Sequence, residues 1–205
     1  MGKLYFKYGV MGSSKTAQAL MLKFNFTERG KNVWLLKPSI DNRDGEAFIS
    51  SRIGLKEKAT NITNTTSIMN LFFKTFQFIG PKKLDVIICD EAQFLTETQI
   101  DELRCLSGNY DIPVFCFGLR TDFTGHLFEG SKRLFEVADT FEEIKSVCKC
   151  GNKATINARI DHKGKIVTTG PKILIGGNDK YIGMCWSCWQ ERINKEHNPG
   201  WGETF

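Results

Sequence analysis

Residues 9–16 read Gly-Val-Met-Gly-Ser-Ser-Lys-Thr, directly behind a strand-like opening, Lys-Leu-Tyr-Phe-Lys-Tyr at 3–8. The spacing is that of a phosphate-cradling P-loop, G-x-x-x-x-G-K-[ST]. In such a loop Gly9, Val10, Met11, Gly12, Ser13 and Ser14 turn backbone N–H groups toward phosphate oxygens at a helix N-terminus. Lys15 reaches the β/γ-phosphates, and the Thr16 hydroxyl ligates Mg²⁺. Ser14 stands where the pattern has its second glycine. A small-residue turn before a surface helix is the plainer alternative for this stretch.

A second acidic element follows at a fitting place. Leu-Asp-Val-Ile-Ile-Cys at 84–89 is a short, mostly apolar run rich in β-branched residues, as a buried parallel strand requires. It ends in Asp90 and Glu91. An acid at the carboxyl end of a buried strand can hold Mg²⁺ beside a P-loop. Alternation along an extended chain turns adjacent side chains to opposite sides. Asp90 is therefore expected to face the metal and Glu91 the other wall of the cleft. By itself the pair also fits a strand that ends in solvated acids.

Cysteine usage marks another centre. Of seven cysteines, Cys89, Cys105 and Cys116 fall in or near apolar runs and read as small buried hydrophobes. The other four are Cys148-x-Cys150 and Cys185-x-x-Cys188. Two such pairs brought together supply four thiolates to a tetrahedral, closed and structural Zn²⁺ site. Disulfides and free thiols are the alternatives. The three histidines, His126, His162 and His197, are isolated and need no metal role.

These groups need a scaffold, and the patterning supplies one. Strand-like runs at 4–8, 33–36, 84–89, 114–118 and 142–147 alternate with helical patterns at 16–29, 67–79, 97–106 and 131–137. The first helix is expected to bury Ala17, Leu20, Met21 and Phe24. Residues 40–66 are polar, lack clear periodicity and read as a mobile loop with room for short structure. β–α alternation with a P-loop first argues an α/β fold with a doubly wound parallel sheet. From Cys148 the character changes to short β-like pieces at 155–159 and 165–168 and a glycine-rich stretch, a small zinc-ribbon-like subdomain. The expected division is 1–147 for the nucleotide-binding domain, 148–192 for the zinc subdomain and 193–205 for a C-terminal tail.

The chain has 205 residues, enough to bury a sizeable core without staples. Its net charge of +5, with both signs well mixed, suits anionic nucleotides but is no nucleic-acid-binding stripe. With no long apolar run and no signal-peptide pattern, a soluble, cytoplasmic protein with neither membrane nor nucleic-acid partner is expected.

Taken together, these residues resemble the type II thymidine kinases, most closely the bacterial branch of that P-loop, zinc-containing family. The likeness is carried by the P-loop with Met11, Asp41-x-Arg43, Asp90-Glu91-Ala92-Gln93-Phe94-Leu95, the 117–123 segment Phe-Gly-Leu-Arg-Thr-Asp-Phe, the four cysteines, and the 175–181 segment Ile-Gly-Gly-Asn-Asp-Lys-Tyr. The resemblance implies transfer of the γ-phosphoryl of ATP to the 5′-hydroxyl of thymidine. It implies Glu91 as the catalytic base, Asp90 as the Walker-B aspartate, and Asp41 and Arg43 as a polar loop near the phosphates. Met11, Phe94, Leu119, Phe123 and Phe128 would surround the thymine base. Between the cysteine pairs a lasso loop would close over the nucleoside through the backbone of Ile175 and Gly176 and through Tyr181. MgATP, a structural zinc, a homotetramer and feedback inhibition by dTTP are further implications. A P-loop ATPase module with a structural zinc and no nucleoside, and a zinc-ribbon nucleic-acid binder, are the competing readings.

Overall fold

The computed structural model describes residues 1–40, 48–77, 84–172 and 181–197. Its centre is a six-stranded sheet. The strands are β1 (Leu4–Gly9), β2 (Val33–Pro38), β5 (Thr60–Ile62), β6 (Val86–Cys89), β7 (Val114–Leu119) and β8 (Thr140–Glu143), in the spatial order β5-β2-β6-β7-β1-β8. Every neighbouring pair is parallel.

The near-continuous apolar runs are explained by what covers the two faces. Along β6, Val86 and Ile88 join a cluster with Ala19 and Leu20 of α1 (Lys15–Glu28). Ile87 and Cys89 join the opposite cluster, which contains Ile68 and Phe72 of α2 (Ile68–Phe72), Ile100, Leu103 and Leu106 of α3 (Glu97–Asn109), and Leu134 of α4 (Glu129–Val137). The same split occurs in β2, where Leu35 turns to the α1 side and Trp34 and Leu36 to the other. A strand apolar at every position is thus buried on both sides. α3 begins with a full capping box. The Thr96 hydroxyl accepts from the Gln99 N–H, and the Gln99 side chain accepts from the Thr96 N–H.

Several expectations are corrected. On α1 the buried residues are Lys15, Ala17, Ala19 and Leu20, whereas Met21 and Phe24 are more than half exposed. Leu22 and Phe26, packed against the sheet, take their places. In the described part of 40–66 the short structure includes a strand of the main sheet, which the loop reading did not place. The described part holds a hairpin, β3 (Phe48–Ser50) with β4 (Lys56–Lys58), followed by β5, which extends the main sheet beside β2. Strands this short and polar carry too little periodicity to be read. The helix expected over 67–79 ends at Phe72 and continues as a π-helical turn, Phe73–Gln77. The strand expected at 142–147 lies at 140–143. Cys105 is half-buried rather than buried, with its Sγ 3.3 Å from Asn109 Nδ2.

The remaining described chain forms a small module on the carboxyl side of the sheet. β9 (Ile156–Arg159) pairs antiparallel with β10 (Tyr181–Met184), and α5 (Trp186–His197) follows. The β-like piece expected at 165–168 contributes only a single bridge, Ile160 with Ile166. No helix among the described residues is long and apolar enough to cross a membrane.

Candidate active site and metal centre

The strand order sets β6, β7 and β1 side by side, so their carboxyl ends form one rim. In open parallel sheets that rim is where ligands bind. From β1 the chain turns into residues 10–14 and enters α1 at Lys15. Ser14 is the residue before the helix, and it adopts a left-handed conformation, φ 62° and ψ 22°, with no side-chain cap bond. Left-handed backbone is what the second glycine of the pattern ordinarily supplies, so Ser14 keeps the shape of the loop at a cost in strain. The buried Lys15 ammonium lies inside the loop, donating to the Val10 carbonyl at 2.7 Å, the Ser13 Oγ at 3.2 Å and the Gly9 carbonyl at 3.5 Å.

From β6, Asp90 continues the α1-facing side of the strand and reaches α1 itself, where the Thr16 hydroxyl bonds its carboxylate. It is 3% exposed, and its Oδ1 has no hydrogen-bond partner. Burial, and then the charge of Glu91, push its pKa up to about 7, against the lowering contacts of Thr16, the Glu91 backbone and Lys15. A buried carboxylate with an unpartnered oxygen, next to a hydroxyl and a phosphate loop, fits a hard divalent cation. Thr16 and Asp90 would hold it.

Glu91 diverges from Asp90, but not through strand alternation. β6 stops at Cys89, and Glu91 is itself left-handed, with φ 52°. The turn carries its carboxylate to Gln93, whose Nε2 donates to Glu91 Oε2 at 2.6 Å. Gln93 Oε1 in turn accepts the Leu119 N–H at 3.0 Å. Gly118 makes this possible, because a Cβ there would stand 2.8 Å from Gln93 Oε1. The Gln93 amide therefore ties the acidic turn after β6 to the end of β7, a role that was not assigned to it from the sequence.

The residues expected around the base are only partly gathered. Phe94 and Phe128 are half-buried and meet edge to face, with centroids 5.6 Å apart. Leu119 ends β7 and is 6% exposed. Phe123 is buried under the Arg159 guanidinium, 5.1 Å from its ring centroid. Met11 is half-buried in the P-loop, and Tyr181 opens β10. Asp41, Arg43, Ile175 and Gly176 lie outside the described residues.

Two polar side chains near the loop carried no sequence signal. Asn157 of β9 bonds Met11 and Thr121. Arg52, at the tip of the β3–β4 hairpin, comes 3.9 Å from where a Cβ on Gly12 would stand. Neither residue type at its position belongs to a recognisable spacing, so only the folded chain brings them to the loop.

In the small module the four cysteine sulfurs all lie within 4.8 Å of one another, with Cys150 and Cys185 Sγ 3.6 Å apart. Tetrahedral thiolates around zinc stand about 3.8 Å apart, given Zn–S bonds of about 2.3 Å. The titration chemistry points the same way. Backbone N–H groups of Cys150 and Cys185 hold the Cys148 thiol down to about 6, whereas hydrogen bonds to Cys150 and Cys185 push Cys188 up to about 12. The cluster cannot ionise fully unless a cation joins it. These four residues could hold a metal ion.

Comparison with known proteins fits this arrangement. The family model described as "Thymidine kinase" matches residues 2–189. A thymidine kinase of Rhodopirellula baltica is 40% identical over 193 residues, 94% of this chain and 90% of that protein. One of Mannheimia succiniciproducens is 40% identical over 198 residues, covering 97% and 100%. One of Streptococcus gordonii is 44% identical over 186 residues, covering 90% and 94%. A solved Pif1 helicase structure from Candida albicans superposes with a TM-score of 0.41 and 16% identity, over 71% of this chain and 36% of that one, too slight a likeness to bear on function. The match runs across the P-loop, the acidic turn and the four-cysteine module alike, and the chain belongs to the thymidine kinase family.

Proposed function

We propose that this chain moves the γ-phosphoryl group of ATP to the 5′-hydroxyl of thymidine, making dTMP. The observation that carries the reading is the shared rim of β1, β6 and β7. There Lys15 and Thr16, the buried Asp90 with its unpartnered Oδ1, the acidic Glu91 and the apolar end of β7 stand together. A phosphate cradle alone serves hydrolysis as well as transfer. A second carboxylate at the same rim, held by the Gln93 amide, suits an alcohol acceptor.

In this reading the backbone N–H groups of the 9–14 loop receive phosphate oxygens, except that of Met11, which Asn157 holds. Lys15 exchanges its bonds to the loop carbonyls for the β/γ-phosphates. Thr16 and Asp90 would hold Mg²⁺, which would supply charge neutralisation on those phosphates. Glu91 accepts the proton of the 5′-hydroxyl as that oxygen attacks phosphorus, and Gln93 holds its carboxylate in place. The Pγ–O bond to ADP breaks as the new P–O bond forms. Met11, Phe94, Leu119, Phe123 and Phe128 give the flat base an apolar slot. Ile175, Gly176 and Tyr181 close over it, and Asp41 and Arg43 serve the phosphates.

The metal at Cys148, Cys150, Cys185 and Cys188 is zinc in this reading and has a structural role. The division into 1–147, a lasso module over 148–192 and a tail from 193 belongs to the same proposal, with α5 reaching His197. So do a homotetramer, inhibition by dTTP and a cytoplasmic location, which rest on the family resemblance. The test is ATP turnover with and without each nucleoside. Product formation only with thymidine or a close pyrimidine analogue is expected. Equal ADP release without any nucleoside would instead establish the ATPase reading.

A further inference from the structure

Asn157 belongs to β9 of the metal-holding module, yet both of its side-chain hydrogen bonds leave that module. Its Oδ1 accepts the backbone N–H of Met11, in the P-loop, at 2.7 Å. Its Nδ2 donates to the backbone carbonyl of Thr121, beyond β7, at 2.8 Å. The residue is 2% exposed, so its amide is shielded from water. The two partners also fix which end of the amide is which, since an N–H must face the oxygen and a carbonyl must face the nitrogen. A side chain needs both a donor and an acceptor at this separation to make the bridge. Aspartate lacks the donor, alanine lacks both, and serine carries donor and acceptor on one oxygen that cannot span the two partners.

The surroundings show that the module braces the loop. Val10 is buried in one cluster with Cys148, Ala154, Ala158, Ile166, Met184 and Cys185, and so forms part of the module's own core. At Gly183, on β10, a Cβ would stand 3.1 Å from Val10 Cγ2 and 3.3 Å from Ala154 Cβ. A larger residue there would push the strand off the loop. Apolar packing of this kind sets the distance between loop and module but leaves the loop free to rotate its peptides. Asn157 supplies a directional constraint at Met11, taking that N–H and so fixing the peptide in the middle of the loop proposed to take phosphate.

We propose that Asn157 is a positioning residue of the ATP site. It holds the Met11 peptide so that the phosphate loop keeps one conformation, and it ties that conformation to the Thr121 segment and to the β9–β10 module. The inference rests on residues 9–16 being the ATP phosphate cradle. It makes the four-cysteine module a support of the phosphate site and not only of a nucleoside loop.

The test uses the full-length, metal-loaded chain. MgADP binding is measured by calorimetry, exchange of the Met11 amide by NMR, and the KM for ATP by kinetics, in wild type, Asn157→Ala, Asn157→Asp and Lys15→Ala. Losing one net hydrogen bond is worth about five-fold in an equilibrium. Asn157→Ala is therefore expected to weaken MgADP about five-fold, to raise the KM for ATP in step, and to speed Met11 exchange, with metal content unchanged. Asn157→Asp keeps the shape and the acceptor for Met11 but loses the donor to Thr121 and adds a negative charge near the cradle. It is expected to weaken MgADP at least as much, and it decides the matter if the alanine variant does not fold. Either folded variant binding MgADP within about two-fold of wild type, with Met11 exchange unchanged, overturns the proposal, whatever its melting temperature. If wild type and Lys15→Ala bind MgADP alike, the cradle reading itself is wrong, and the proposal goes with it.

Discussion

Ser14→Gly tests whether the left-handed turn before α1 is a strained remnant or a working part. Ser14 has φ 62° and ψ 22°, is exposed, and offers its hydroxyl to no backbone N–H of α1. Three terms decide the outcome. Holding an L-residue in left-handed backbone costs roughly 1–2 kcal/mol, which glycine would recover. Glycine loses more freedom on folding, which takes back about 0.4–1 kcal/mol. A capping serine would normally be missed, but here no cap bond exists to lose. The balance is a stabilisation of about 0.8 kcal/mol at the middle of those ranges, which for a chain of this size is about 2–3 °C in melting temperature. The Ser14 carbonyl still accepts the Gln18 N–H at 3.0 Å, so the first turn of α1 is kept by either residue. MgADP affinity should hold or improve, because removing the Cβ clears the approach to the backbone. Differential scanning calorimetry and an MgADP titration on the two proteins check this. A melting temperature lowered by more than about 2 °C, or clearly weaker MgADP binding in the glycine variant, would refute the reasoning and show that the Ser14 side chain supports the loop.

Glu91→Gln keeps size and the contact with Gln93 but removes basicity, so turnover should drop by about 10²–10⁴-fold with MgADP binding little changed; turnover within a few fold, with chemistry rate-limiting, would leave Glu91 a positional role. Gln93→Glu sets a second carboxylate 2.6 Å from where Glu91 Oε2 now accepts a hydrogen bond, and it replaces a donor with an acceptor. Single-turnover rates should fall by about ten-fold or more, and a variant as fast as wild type would show that the Glu91 orientation does not depend on this bond. Elemental analysis should find about one zinc per chain, lost on Cys185→Ser. Because Val10 packs into the cysteine module, the metal-free variant should also bind MgADP more weakly than wild type; unchanged MgADP binding in a folded, metal-free protein would separate the two sites.

Chemistry confined to neighbouring residues was legible in the chain itself. The spacing of 9–16, the apolar run ending in Asp90 and Glu91, and the two cysteine pairs each set donors or ligands within a few residues of one another. Local backbone geometry delivers them wherever the segment sits. The doubly wound sheet was legible for a related reason. Strands buried on both faces must be apolar throughout, and Val86–Cys89 shows that pattern without reference to its partners. Short, polar strands such as β4 and β5 were not legible, because they are held by neighbours and not by their own periodicity. The exposure of Met21 and Phe24 was equally hidden, since several faces of α1 are apolar and only the position of the sheet selects one. Glu91 shows the limit most plainly. The sequence offered strand alternation as the reason for it to diverge from Asp90, whereas a left-handed turn produces the divergence and the Gln93 bridge to Leu119 holds it, and neither carried a sequence signal. Asn157 lies 146 positions from Met11 along the chain. An isolated asparagine on a short strand carries no pattern of its own, and what ties it to the loop at 9–16 is that two backbone groups, a donor and an acceptor, come to lie at the two ends of one amide. Contacts of that kind depend on where distant segments pack, and tertiary structure alone decides them.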